Sequence, residues 1–160
     1  MGRSKKEGLK VLTANRSARH DYYIEEKIEA GVELTGTEIK SLRSGRASLA
    51  ESYVKVQDGE AFLIGMHISP YELGNIHNVD PMRVRRLLLH KKEIAKLAVQ
   101  TGQQGLTVVP LRAYLNNRGI AKVEIAVARG KKLYDKREAI AANDAERRMQ
   151  RVRNEWGRRG

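Results

Sequence analysis

The chain has 160 residues, and its 31 Lys and Arg residues against 19 Asp and Glu residues give a formal net charge of +12. This charge favours a polyanionic partner, because Lys and Arg release counterions when they neutralise phosphates; a basic protein with no partner is the alternative. The absence of cysteine excludes disulfides and thiolate metal sites, and no signal peptide or membrane-spanning apolar run is present. We therefore expect a cytoplasmic protein with no membrane partner.

The first predicted strand follows a basic N-terminus. Residues 1–20 are poor in large apolar side chains, and we expect them to form a flexible segment. From Asp21, the segment DYYIEEKIEAGVEL has apolar residues at its even positions, with Glu26 the exception, and charged residues at most of its odd positions. This alternation predicts one long half-buried strand that is broken or bulged near Gly31.

A short helix is predicted next. Thr35 can cap its first turn, and Glu38, three residues later, can reach back to complete a capping box. Ile39 and Leu42 would share the inner face, and Gly45 is a natural end.

The segment SYVKVQDGEAFLIGMHI predicts a hairpin. Asp58-Gly59 is typical of a tight turn, and the alternation after it predicts an inward-facing set of side chains. That set is Phe62, Ile64, Met66 and Ile68. A loop rich in Gly, Pro and Asn, residues 69–82, follows the hairpin.

The second half of the chain predicts a strand, a helix and a closing hairpin. The strand is RVRRLLL, and the helix HKKEIAKLAVQTG has Ile94, Leu97 and Ala98 on one side. The segments LTVVPLRAYL and IAKVEIAV form the hairpin around residues 116–119.

These elements predict a mainly β fold with flanking helices. Short antiparallel strands with interspersed helices are typical of a closed OB-fold-like barrel, here of about six strands, and a flat α+β sheet is the alternative. We assign residues 21–130 to the barrel and residues 131–160 to a basic C-terminal tail that is disordered or helical. Residues 1–20 are the flexible N-terminus.

Signals for catalysis are absent from the sequence. His20, His67, His77 and His90 are far apart and lack metal-ligand spacing, and no nucleophile elbow, P-loop or dinucleotide fingerprint occurs. We expect a protein that is not an enzyme and that holds neither a metal nor a cofactor.

A dense basic cluster lies in MRVRRLLLHKK. Five like charges repel one another unless an anion offsets them, which favours phosphate contact over an ordinary strand with a solvated face. The cluster comprises Arg83, Arg85, Arg86, Lys91 and Lys92. His90 could hydrogen-bond to a base or stack on it, although a lone histidine is more often a plain surface residue.

The tail has a thin apolar stripe at helical spacing. Its members, Ala141, Ala145, Met149, Val152 and Trp156, predict an amphipathic helix from about residue 138. So small a stripe does not offset the ordering entropy, so we expect this segment to fold on binding. Trp156 is either a stacking anchor or a contact that holds the tail against the barrel.

Five segments carry a family resemblance. They are NRSARHDYYIEEKIEAGVELTGTEIKSLRSGRASLAESYV, GEAFLIGMHISPY, NVDPMRVRRLLLHKKEI, LTVVPLRAYL and KVEIAVARGKKLYDKR. From about Asn15 to Arg137 they resemble the SsrA-binding protein (small protein B) family of bacterial trans-translation. The resemblance implies an oligonucleotide-binding barrel with flanking helices and no enzymatic activity.

The resemblance also implies a function and partners. The family binds the tRNA-like domain of tmRNA (SsrA RNA), promotes its aminoacylation and delivers it to stalled ribosomes, where the nascent peptide is tagged and the ribosome is rescued. The implied contacts on the ribosome are the decoding centre and mRNA channel of the small subunit. Alanyl-tRNA synthetase and elongation factor Tu are implied indirectly, through tmRNA, and the protein is expected to be a monomer.

Three positions match the RNA-binding surface of the family: Glu29 in IEAG, and Leu88 and His90 in LLLHK. A carboxylate that faces a polyanion is expected to accept hydrogen bonds from a base edge or a 2′-hydroxyl, or to orient a basic neighbour.

The family's GKKxxDKR segment begins a tail that is disordered when free and helical in the decoding centre and mRNA channel. It maps onto Gly130, Lys131, Lys132, Asp135, Lys136 and Arg137. Tyr134 lies where relatives place a ring that can stack on a decoding-centre base. Trp156 has no firm counterpart in relatives, so its stacking role is an expectation from this sequence alone.

Two other classes of function remain as alternatives. A ribosomal barrel permanently bound to ribosomal RNA would have the same charge and fold, and it would be recovered in stoichiometric amounts with ribosomal subunits. A nuclease would need clustered carboxylates around a divalent metal, and it would degrade RNA when magnesium is added.

Overall fold

The computed structural model describes residues 10–73 and 78–159, the last five of these as backbone only. The elements in chain order are β1 (Lys10–Ala14), α1 (Ala18–Asp21), β2 (Tyr22–Val32), α2 (Gly36–Arg43), β3 (Ala47–Ser48), β4 (Tyr53–Gln57), β5 (Glu60–Ile64), β6 (His67–Ile68), β7 (Arg85–Leu88), α3 (Lys91–Gly102), β8 (Thr107–Leu115), β9 (Ala121–Gly130) and α4 (Lys131–Arg159).

The strands form a closed ring. The main sheet has the order β1-β8-β4-β5-β7-β2-β9, and an additional pairing of β8 with β9 joins its ends into a ring of six antiparallel strands. Strand β1 lies outside the ring on β8, and β3 and β6 form a separate pair. The prediction of an OB-fold-like antiparallel barrel of about six strands is therefore confirmed.

A bulge in β2 lets one strand serve two apolar clusters. Glu25 is the extra residue, since Ile24 pairs with Ala128 and Glu26 pairs with Val127. Adjacent residues of β9 face opposite sides of the sheet. The extra residue in β2 therefore turns the even-numbered residues of β2 from the outer face before the bulge to the core face after it. Ile24 packs in an outer cluster with Ala128, whereas Ile28 beyond the bulge packs in the barrel core. The expected break near Gly31 is wrong, because the strand passes through Gly31 without a register shift.

The predicted β4–β5 hairpin is present, but its inward face differs from the prediction. Asp58 and Gly59 both have positive φ, as a two-residue hairpin turn of matching twist requires. Ala61 and Leu63 are fully buried in the core, while Phe62 and Ile64 are half-buried. Gly65, at φ +87°, interrupts the alternation, so Met66 and Ile68 are buried although Phe62 and Ile64 are not.

The capping box of α2 is confirmed. The Thr35 hydroxyl accepts a 3.3 Å hydrogen bond from the Glu38 backbone N–H, and the Glu38 carboxylate accepts a 3.0 Å bond from the Thr35 N–H. The helix ends at Arg43, and Gly45 takes the left-handed conformation just beyond it.

Part of the expected flexible N-terminus belongs to the folded unit. Residues Lys10–Ala14 pair with β8 as an edge strand, and α1 packs its buried Ala18 against β8 and β9. Asn15 holds this connection, because its side chain donates to the Pro110 carbonyl at 3.0 Å and its N–H donates to Leu111 at 2.7 Å. The expectation for residues 10–20 is therefore wrong; these bonds supply order that the local composition does not.

The tail is a single helix, α4, that continues directly from β9. It begins at Lys131, earlier than the expected start near residue 138, because Gly130 ends the pairing of β9 with β2. The described members of the apolar stripe, Ala141 to Val152, are exposed, so the stripe does not pack against the barrel. Among the helices in the described parts of the chain, none has the length and apolarity that a membrane span requires.

Candidate RNA interface

A groove on the outer face of the barrel brings together several of the predicted RNA-binding residues. We call it the Glu29 groove; it has a volume of about 620 Å³ and lies between β2, β7, β9, the β4–β5 turn and the start of α3. Its lining includes Glu29, Gly31, Glu60, Arg86, Leu88, His90, Lys91, Glu93 and Lys122. Five of these were predicted from the sequence: Glu29, Arg86, Leu88, His90 and Lys91.

The Glu29 carboxylate is held in place from beneath. Glu29 lies opposite Glu124 of β9 on the outer face, and the buried hydroxyl of Tyr114 on β8 donates a hydrogen bond to Glu29 Oε2. Burial and this bond to a carboxylate raise the pKa of Tyr114 well above its ordinary value, so the phenol stays a donor at neutral pH. The groove therefore presents an oriented hydrogen-bond acceptor.

An apolar side chain and a helix start lie beside this acceptor. Leu88 is 49% exposed, and a Cβ on Gly31 would come within 3.1 Å of the Leu88 Cβ, so the glycine allows the leucine its close position. His90 precedes α3, and its backbone N–H donates to the Glu93 carboxylate at 3.0 Å, which orients the first turn. Glu29, Leu88 and His90 thus line one surface, although Glu29 and Leu88 are 59 positions apart in the sequence.

The prediction that the five basic residues of this cluster contact phosphate is wrong for Arg85. The Arg85 side chain is fully buried, with Nη2 2.6 Å from Glu38 Oε2, and it also donates to the Met66 and Pro81 carbonyls. Arg83 reaches the other oxygen of Glu38, also at 2.6 Å. The anion that offsets these charges belongs to the protein, so Arg85 is a structural residue that no phosphate can reach.

Glu38 is ionised because of these partners. Burial alone would raise the pKa of Glu38, but hydrogen bonds from Arg83, the Thr35 N–H and Arg85 outweigh burial and lower it.

The other basic residues of the cluster differ in their access to the groove. Arg86 lines the groove half-exposed, and it lies 3.3 Å from both Glu33 and Glu60. Lys91 lines the groove, whereas Lys92 is exposed but is not part of the lining.

Four of these groove residues, Gly31, Glu60, Glu93 and Lys122, were not predicted as RNA-binding residues from the sequence. Gly31 and Lys122 face each other across the pairing of β2 with β9. No local pattern marks these two, because only the register of two strands brings together residues that are 91 positions apart.

The start of α4 contacts the barrel through a cluster of rings and charges that we call the tail base: Tyr23, Arg129, Lys131, Tyr134 and Asp135. The Tyr23 hydroxyl donates a 2.9 Å hydrogen bond to Asp135, and the Tyr23 and Tyr134 rings meet edge to face at 5.5 Å. Lys131 Nζ lies 5.2 Å from the Tyr23 ring centre, and Arg129 lies 5.6 Å from that of Tyr134. These contacts set the direction in which the tail leaves the barrel.

The remaining tail residues of the predicted set are more accessible. Lys132, Lys136 and Arg137 are exposed, and Gly130 is the last residue of β9. The backbone of Trp156 belongs to α4, while its side chain and all of His77 lie outside the described residues.

The bond between the tail base residues Tyr23 and Asp135 makes a testable prediction. The pKa of Tyr23 is raised, first by its hydrogen bond to Asp135 and also by partial desolvation and the charge of that carboxylate. Replacing Asp135 with Asn is expected to lower this pKa towards the ordinary tyrosine value, as measured by NMR titration of the Tyr23 ring. Asp144→Asn, farther along α4, is the control; an equal response to both changes would contradict the contact.

The comparisons with known proteins agree with this architecture. The family model described as SmpB protein matches residues 12–155. The chain belongs to the SmpB family.

Its relatives include the SsrA-binding protein of Caldicellulosiruptor saccharolyticus, which is 57% identical over 154 residues, or 96% of this chain and 97% of the relative. The SsrA-binding protein of Moorella thermoacetica is also 57% identical, over 147 residues that cover 92% of this chain and 95% of the relative. A solved chain described as "tmRNA-SmpB: a journey to the center of the bacterial ribosome" is 52% identical, with a TM-score of 0.63, and the match covers 74% of this chain and 82% of that one.

Proposed function

We propose that this SmpB-family chain binds the tRNA-like domain of tmRNA through the Glu29 groove and carries that RNA to stalled ribosomes. The observation that supports it most is the groove itself, which joins an anchored carboxylate, an exposed leucine and a histidine at a helix start. Relatives of 55–57% identity are named SsrA-binding proteins, and the solved relative is described with tmRNA and the ribosome.

The groove suits a folded RNA better than a bare phosphate chain. Its carboxylates, Glu29, Glu60 and Glu93, accompany the cations Arg86, Lys91 and Lys122, so it has little excess positive charge. A site of this kind discriminates by hydrogen-bond direction, because an anchored carboxylate accepts from a base edge or a 2′-hydroxyl and repels phosphate. Leu88 adds apolar contact with an unstacked base or a ribose.

The wider function follows from the two parts of the molecule. The barrel holds tmRNA, promotes its aminoacylation and carries it to the ribosome; alanyl-tRNA synthetase and elongation factor Tu are partners only indirectly, through tmRNA. Helix α4 then enters the decoding centre and mRNA channel, where its exposed cations meet ribosomal RNA. The protein acts in the cytoplasm as a non-enzymatic monomer.

Identifying the RNA that is recovered with the protein from cells tests this proposal. Recovery of one small structured RNA would support it, whereas stoichiometric recovery with ribosomal subunits would favour a ribosomal protein.

Replacing Glu29 with Gln tests the groove directly. We expect the affinity for tmRNA to fall by roughly tenfold or more, since a hydrogen bond to a charged group contributes about 1.5–3 kcal/mol. Affinity is measured by titration of labelled tmRNA at fixed salt. Glu51→Gln, at an exposed position that does not line the groove, removes the same charge and is expected to leave binding unchanged or slightly tighter. Tighter binding by the Glu29 variant would show that the carboxylate only repels phosphate.

A further inference from the structure

A second groove lies on the same outer face of the barrel, between β1, α1, β2, β8 and β9. We call it the Arg16 groove; its volume is about 640 Å³, and the residues that matter here are Arg16, Arg19, Lys27, Arg112 and Glu124. We propose that this groove binds the phosphodiester backbone of the same RNA molecule that the Glu29 groove holds. This inference rests on the proposed function and extends it to a site that the sequence did not indicate.

The Arg16 groove has cations that the protein does not neutralise. Arg112 lies 3.4 Å from Glu124, which is the carboxylate of this groove. Among the described side chains, residues 10–73 and 78–154, no carboxylate lies within ion-pair distance of Arg16, Arg19 or Lys27. All three are exposed. In the predicted cluster, Arg83, Arg85 and Arg86 form ion pairs with carboxylates of the protein itself. The Arg16 groove is therefore the better candidate for phosphate binding.

The two grooves are neighbours on the barrel surface, and strand register and side-chain contacts link them. Lys27 and Glu29 are two positions apart on β2 beyond its bulge, so both face outward, about 7 Å apart. The Arg112 guanidinium lies 5.1 Å from the ring centre of Tyr114, whose hydroxyl donates to Glu29. An RNA strand that contacts Glu29 therefore has a direct path over Lys27 and Arg112 to α1.

The backbone positions of Arg16 and Arg19 are fixed before any ligand binds. Asn15 is bonded to the Pro110 and Leu111 backbone, and Ala18 is buried in the outer apolar cluster. The Arg19 carbonyl also accepts a 3.0 Å hydrogen bond from Lys131 of α4. A fixed backbone reduces the entropy lost when the flexible arginine side chains meet phosphates.

The composition of the Arg16 groove indicates backbone contact and not base recognition. Its lining includes no aromatic side chain among the described residues, so it lacks a surface for stacking bases. Arginine presents a planar fork of donors that matches two phosphate oxygens, and several such contacts position a duplex or a loop without reading its sequence.

The test is the salt dependence of tmRNA binding. Removing cations that contact phosphate reduces the slope of log affinity against log salt by about one per contact. We expect Arg19→Gln/Lys27→Gln to lower the slope by about two and to weaken binding most at low salt. The charge-matched control Lys55→Gln/Arg118→Gln, at exposed positions outside both grooves, is expected to keep the wild-type slope.

Each outcome decides between the proposals. Equal slopes for the double variant and its control would overturn the Arg16 groove while leaving the proposed function intact. If the unmodified protein bound tmRNA no better than an unrelated RNA of the same length, the proposed function itself would fail. Vesicles of anionic phospholipid are the third probe. If the protein binds these vesicles, and Arg19→Gln/Lys27→Gln abolishes that binding without changing the tmRNA slope, the groove contacts a membrane and the RNA proposal is overturned.

Discussion

Replacing Lys132, Lys136 and Arg137 with alanine is expected to abolish peptide tagging on stalled ribosomes and to leave tmRNA affinity nearly intact. These three cations are exposed on α4 and do not line the Glu29 groove, so their loss removes charge from the tail without changing that groove. An RNA-walled channel favours a cationic helix, and each lost phosphate contact weakens its insertion. Tagging is measured on ribosomes stalled at a message without a stop codon, and tmRNA affinity is measured separately.

Lys131 and Asp135 differ from these three residues because they contact Tyr23 in the tail base. Changing all five GKKxxDKR side chains together is also expected to abolish tagging, but it mixes loss of charge with loss of the tail's direction. Alanine at Arg147, Arg148 and Arg151 removes the same charge farther along α4 and is the matched comparison. Equal loss of tagging and of tmRNA binding in the Lys132 set would contradict the division between barrel and tail.

Replacing Glu38 with alanine is expected to destabilise the protein by about 3–5 kcal/mol, because it leaves the fully buried Arg85 without its counter-charge. The loss is measured as the decrease in the free energy of unfolding in urea. Glu38→Met/Arg85→Met removes both charges and is expected to recover most of the stability, since well-packed apolar residues often replace a buried pair at little cost.

The double variant also tests the corrected role of Arg85. If it folds with native stability, its tmRNA affinity is expected to equal that of the unmodified protein, because Arg85 does not reach the surface. Reduced affinity in a fully folded double variant would restore Arg85 to the RNA interface. For the single variant Glu38→Ala, the control for the loss of one negative charge is Glu51→Ala, at an exposed carboxylate without a described ion pair.

The same pair makes stability depend on pH. The pKa of Glu38 is lower in the folded protein than in the unfolded chain, so its contribution is fully present above the ordinary glutamate pKa. It is lost as the pH falls through the lowered pKa of the folded state. We expect the acid side of the stability curve to be steeper for the unmodified protein than for Glu38→Met/Arg85→Met, as measured by urea unfolding at a series of pH values.

Local patterns were sufficient for the elements with local causes. The Thr35 capping box, the Asp58-Gly59 turn and the hairpin of β8 and β9 depend on residues close together in the chain, so the sequence alone predicted them correctly. The barrel class followed from the number and order of such elements. The family resemblance identified Glu29, Leu88 and His90 as RNA-binding positions. Only the structure shows that these three residues line one groove.

Charge was the property that local patterns predicted least well. Arg83, Arg85 and Arg86 form a conspicuous cluster in the sequence, but their partners Glu38, Glu33 and Glu60 come from other elements. A count of like charges in one segment cannot include counter-charges that folding brings from 26 to 53 positions away. For the same reason, nothing in the sequence indicated that Arg16, Arg19 and Lys27 are without carboxylate partners among the described side chains.

By itself, the sequence determined the basic character of the protein, its antiparallel elements and its family, because composition, alternation and collinear motifs are properties of the chain. Only the tertiary structure decided which cations are free, where β2 bulges and which residues share a groove. These depend on strand register and on contacts between distant segments, and a one-residue shift in register would move every such side chain to the other face of the sheet.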